Sequence, residues 1–158
     1  MKILKPLILI VAVCLLFTAV SNAQAPETHI ITLHVNTTDI IKPNVNDFAN
    51  FGQPEDVSNE NFTINVRKGD IIIWKGVSSS APATDLVSIS AINHEGGVNV
   101  FGRNVLRGNG EMPELVIGTV INGNPGDEEK YKLSFKVFVN GTKKNGTFHI
   151  DPKIKVNQ

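Results

Sequence analysis

The feature that most constrains this chain is a change of hydrophobic period around one corner, in NFTINVRKGDIIIWKGVSSSAPATDLV at residues 61–87. Phe62, Ile64 and Val66 share one parity while Thr63 and Asn65 take the other, the two-residue repeat of a strand with one buried face. Arg67-Lys68-Gly69-Asp70 then interrupts as a polar corner, where glycine supplies the positive φ such corners often require. Ile71-Ile72-Ile73-Trp74 is apolar on both parities, the mark of a strand covered on both sides. Trp74 is the only tryptophan. Its large apolar area predicts that it sits at the centre of the core.

The rest of the chain repeats the pattern. Ile31, Leu33 and Val35 alternate with Ile30, Thr32 and His34, and residues 37–60 form a long polar connection with room for one short strand. Phe48 and Phe51 are expected to tuck that connection against the core. Residues 76–84 (GVSSSAPAT) read as a loop, 86–92 as a strand, His94-Glu95-Gly96-Gly97 as a turn and 98–101 as a short strand. Residues 103–113 read as irregular, 114–121 as a β-branched strand and 122–130 as a loop. Tyr131, Leu133, Phe135, Val137 and Val139 share one face of a long strand, and Asn140-Gly141 with Asn145-Gly146 marks a hairpin. Pro152 breaks the final alternation into two short strands or places it at an edge or bulge. Sustained helical periodicity is missing. Seven to nine short strands in one domain, residues 24–158, predict an all-β, antiparallel Greek-key β-sandwich.

Residues 1–23 read as a removed signal peptide, with Lys2 and Lys5 before an apolar run and Ser21-Asn22-Ala23 at the cleavage site. The run of about 14 residues is short of the ~20 that span a bilayer, so no transmembrane anchor is expected in the mature chain. Export to the periplasm or the extracellular space follows. Cleavage removes Cys14, the sole cysteine, and leaves no disulfide. The leader holds two of the fifteen basic residues, leaving thirteen against fifteen acidic ones, and no basic stripe suggests nucleic acid.

VRKGDIIIWKG resembles the cupredoxin-like domains, in which a strand, a Gly-Asp corner and a strand ending in tryptophan build one side of a Greek-key sandwich. That resemblance implies the fold. The family's copper site uses two histidines, a cysteine and an axial methionine, whereas this mature chain has no cysteine and VNGTKKNGT offers no ligand. A second resemblance is to inclusion-body proteins of the PixA/AidA type, carried by Gly69-Asp70-Ile71-Ile72-Ile73-Trp74-Lys75, Tyr131 with Phe135, and Asp151-Pro152-Lys153-Ile154. It too implies a β-sandwich and supplies no catalytic residues.

The chemistry open to these residues is limited. His29 and His34, five apart in one strand, point to opposite faces and cannot chelate together. His94 and His149 show no ligand spacing, so copper or zinc held by His94 and another histidine is the alternative rather than the main reading. Ser78, Ser79 and Ser80 lack the glycines of a nucleophile elbow, and no carboxylate pair for glycoside hydrolysis can be placed in one cleft. Asp70 and Asp151 suit turn geometry. The sequence therefore predicts an exported, non-catalytic binding or structural module without a cofactor. Its recognition loops would cluster at one end of the sandwich and carry Ser78, Ser79, Ser80, His94, Glu95, Arg103 and Asn104, facing a protein or glycan.

Overall fold

The computed structural model describes residues 24–108 and 110–158; the expected leader lies outside them. Among the described residues, eleven strands, β1 (Thr28–Val35), β2 (Ala49–Asn50), β3 (Thr63–Val66), β4 (Ile71–Ser78), β5 (Leu86–Gly97), β6 (Val105–Arg107), β7 (Leu115–Thr119), β8 (Glu128–Val139), β9 (Thr142–Lys143), β10 (Phe148–Ile150) and β11 (Lys153–Val156), are joined by loops and one 3-10 turn. No helix among the described residues is long and apolar enough to cross a membrane. One sheet has the order β2-β1-β4-β7 and the other β3-β11-β8-β5-β6, with β9 and β10 also on β8.

The sheets are mixed, which corrects the antiparallel expectation. β1 runs parallel to β4 from Thr28 opposite Ile71 to Val35 opposite Ser78, and β3 runs parallel to β11. The cause is the corner at Gly69-Asp70. Gly69 takes φ +100° there, but β3 and β4 enter different sheets instead of forming a hairpin. Each must then find a neighbour far away in sequence.

Parity sets the buried face of β1 as expected. In contrast, β4, expected to be covered on both sides, buries only the face of Ile72 and Trp74 and leaves Ile71 exposed on the other, because no layer of the described residues covers the outside of its sheet. Ile31, Leu33 and Val35 are buried while Ile30 on the opposite face is 66% exposed. Trp74 is fully buried, edge-on to Phe101 and Tyr131, and its indole N–H donates to Tyr131 Oη at 3.1 Å. Phe51 stacks on Phe62 with centroids 4.5 Å apart. That contact holds the long connection across the side between β2 and β3. Asn59, buried beside it, donates to Ala49 C=O and Asn46 Oδ1.

Several element boundaries differ from the sequence reading, among them the start of β8 at Glu128, inside the expected loop at residues 122–130. β4 continues through Ser78. β5 runs through the expected turn at His94–Gly97, because irregularities at Ile89/Ala91 and His94/Gly96 absorb the extra residues while pairing to β8 continues. The expected strand at residues 98–101 is irregular, and the expected irregular stretch at 103–113 contains β6. Pro152 falls in the break between β10 and β11, where its C=O accepts from Tyr131 N–H.

Candidate functional site

Buried polar groups gather in separate clusters. At the corner end, Asp70 is 1% exposed and accepts from the Glu27 and Arg67 N–H groups, with His29 Nε2 2.8 Å from its second oxygen. Burial alone would raise the Asp70 pKa, but those bonds and the His29 charge outweigh it and hold the carboxyl below its ordinary value. Asp70 thus has the turn role expected of it and also ties the N-terminal segment to β4.

Glu129 is the second cluster. It is 1% exposed, accepts from Val100 N–H at 2.7 Å, and lies 3.0 Å from His94 Nδ1. Burial pushes its carboxyl up, and the Val100 and His94 contacts only partly offset this. Glu129 falls in the stretch 122–130 expected to be a loop, but it lies in β8. Its shared parity with Tyr131, Leu133 and Phe135 was the available signal that it points inward.

At the opposite end, the buried Thr37 hydroxyl meets Ser78 Oγ at 2.7 Å, Ser80 Oγ at 2.9 Å and the Asp85 carboxylate. The Thr37 bond is the main reason the Asp85 carboxyl is held down. Ser78 Oγ also accepts from Ala81 N–H, and Ser79 N–H donates to Val35 C=O. This network closes the sandwich end through β1, β4 and the start of β5.

The sequence-predicted recognition residues therefore divide between two ends. Ser78, Ser79 and Ser80 lie beside the start of β5. His94 sits eight residues along that strand, roughly 26 Å away at 3.3 Å per residue. Glu95 there pairs with Lys132 at 2.7 Å, and Asn104 C=O accepts from His94 N–H. Arg103 belongs to the same end, its N–H donating to Asn99 Oδ1. Among the described residues no group of three or more His, Cys, Asp or Glu side chains converges as a metal site. His29 faces Asp70, His94 faces Glu129, and His149 Nδ1 lies 2.9 Å from Ser134 Oγ.

Apolar side chains that the core does not take up line one outer sheet face. Register places Ile30, Ile73 and Ile117 in one row across β1, β4 and β7 on the outer face of the four-stranded sheet. Ile30 and Ile117 are 66% and 53% exposed. Shallow grooves flank Ile117 on both sides, one with Arg107, Met112 and Leu115, the other with Phe101, Arg103, Leu106 and Ile121. β7 is an edge strand bordered by β6 of the other sheet. Arg103 in this region is among the expected recognition residues, whereas the isoleucine row is invisible in the sequence because pairing between distant strands creates it.

The architecture is similar to that of an inclusion-body protein, PixA, from Burkholderia cenocepacia J2315, with a TM-score of 0.61 and 12% identity over 87% of this chain and 99% of that one. The shared fold supports the resemblance drawn from the Gly-Asp corner and the closing Asp-Pro segment. The N-terminal domain of phage TP901-1 ORF48 matches at a TM-score of 0.40 and 12% identity, over 84% of this chain and 99% of that domain. No family model and no curated protein matches the sequence.

Proposed function

We propose that this protein is an exported, non-catalytic β-sandwich module, cupredoxin-like without copper ligands, that acts through protein contact at the flank formed by β6 and β7. The observation that carries the reading is the exposed apolar cluster around Ile117, rimmed by Arg103 and Arg107. Contiguous apolar surface edged by charge is a common mark of a protein interface. The polar groups that line the groove at the corner end, in contrast, are engaged with one another, His29 with Asp70 and Arg67 with Asp70 and Glu27. Isoleucine, leucine and methionine favour a protein partner over a glycan. The fold shared with a protein named for inclusion bodies supports a structural or recognition role.

Two measurements test the reading. Intact mass of the chain recovered outside the cytoplasm is expected to begin at Gln24; an uncleaved cytoplasmic chain would remove the export claim. A photo-crosslinking residue at position 117 is expected to trap a protein adduct in producing cells, while one at Ser79 does not. Adducts at 79 alone would move the interaction surface to the Thr37 end.

A further inference from the structure

Strand β7 carries backbone groups that no other strand uses. Gly76 N–H donates to Glu114 C=O and Val120 N–H to Asp70 C=O, so the even-numbered residues from 114 to 120 face β4. Ile117 and Thr119 consequently turn their N–H and C=O groups, and Leu115 its C=O, toward the edge beside β6, while the Leu115 N–H donates to Met112 C=O. Protein edges are commonly blunted by shortness, charge, proline or a bulge. β2 has two residues, and β6 has three and ends in Arg107. β7 is five residues, LVIGT, with no charge and no proline.

We infer that β7 is the contact through which two copies of this chain associate, pairing antiparallel edge to edge about Ile117. The inference rests on the reading of this flank as the interaction surface and adds the identity of the partner. A two-fold axis at Ile117 sets Ile117 against its own copy and Leu115 against Thr119. Ile117 residues then exchange N–H to C=O bonds, and each Thr119 N–H donates to the other copy's Leu115 C=O. The isoleucine row continues from one sheet into the next, since side chains on one face keep their parity across a ladder.

Charge fits the same geometry. Glu114 precedes Leu115 at one end of β7, and Arg103 lines the groove beside Thr119 and Ile121 at the other. Antiparallel pairing brings Glu114 of each copy toward Arg103 of the other. A parallel or one-sided contact would not match both pairs.

Sedimentation of the chain exported and processed by its host, across a concentration series, tests the inference. The expected result is a shift from one chain to two. Thr119→Pro removes only an outward N–H, so it should abolish the dimer while Trp74 fluorescence and melting stay native. Arg103→Glu and Glu114→Arg should each weaken association at least tenfold, and the double variant should restore it. Because the mature chain has no cysteine, Ile117→Cys is expected to give an oxidised covalent dimer that Ile30→Cys does not. A dimer lost in Ile30→Lys but kept in Thr119→Pro would overturn the edge contact in favour of packing between sheet faces. A monomer at every concentration would overturn it too, and a photo-adduct with a different protein at position 117 would then leave the flank as an interaction surface.

Discussion

Trp74 and Tyr131 bury one polar contact in an otherwise apolar centre, and its removal separates packing from hydrogen bonding. Tyr131→Phe keeps the ring but leaves the indole N–H without its partner, an expected loss of about 1–3 kcal/mol by urea denaturation. Trp74→Ala removes the whole side chain and is expected to cost about 3–5 kcal/mol. Burial also pushes the Tyr131 hydroxyl far up, so it stays protonated throughout the working range. The two buried carboxylates act in opposite directions with pH. The Asp70 pKa is depressed on folding, so its stabilisation is present above the unfolded value of 3.8 and is lost as pH falls through the folded value. The Glu129 pKa is raised, so its contribution is full below 4.5 and is lost as pH rises through the folded value. In melting experiments Asp70→Asn should therefore show its largest deficit near neutrality, shrinking on acidification. Glu129→Gln should match the parent in acid and gain on it as pH rises. Parallel pH curves for both variants would rule out these assignments. Trp74 was readable from sequence because an apolar run around a lone tryptophan has few other places to go. Glu129 was hidden by its company of Asp127, Glu128 and Lys130, a composition that reads as loop although its parity points inward.

Strands show the same contrast between local pattern and contact. Alternation located β1 and β8 within a few residues, because burying one face imposes the two-residue repeat, while β4 was marked only by its apolar run and extends past it to Ser78. Glycines were less readable. Gly96-Gly97 resembles a turn by composition, yet it lies inside β5, where Gly97 at φ +77° passes so close to Glu128 C=O that a Cβ would stand 2.1 Å from the oxygen. Gly76 plays a different part in β4. It sits where the two sheets approach, and a Cβ there would lie 2.4 Å from Val87 C=O. The obstacle is backbone, so no side-chain rotation relieves it. Gly76→Ala should force β4 from β5 and cost at least about 1–3 kcal/mol, the usual range for overpacking. Gly110→Ala, with open space around the added carbon, provides the control and should melt like the parent. Equal melting of the two variants would mean that the sheets adjust freely at this crossing.

At the scale of the whole molecule, the order of the strands was the least legible property. Local alternation says that a strand exists and which face it buries, but not which strand lies beside it. The Gly69-Asp70 corner passes the chain from one sheet to the other, so β4 takes the N-terminal β1 as a neighbour and β3 takes the C-terminal β11. The candidate surface inherits that property, since Ile30, Ile73 and Ile117 meet only after β1, β4 and β7 have paired. Closure of the fold thus depends on the last strand. β11 lies between β3 and β8, buries Ile154 and Val156, and extends the ladder through Asn157 N–H to Val66 C=O. Removing residues 153–158 deletes two core side chains, each worth about 2–5 kcal/mol by analogy with large-to-small substitutions. It also strips β3 of its sole ladder among the described residues. Against a total of about 5–15 kcal/mol for a domain of this kind, that loss should abolish the native state. The truncated chain is expected to show red-shifted Trp74 emission and no cooperative urea transition. Ile154→Ala alone should weaken the fold while keeping the transition cooperative. A truncated chain that still unfolds cooperatively, with Trp74 shielded from quencher, would show that the β1–β4 sheet and β8 hold the core without β11.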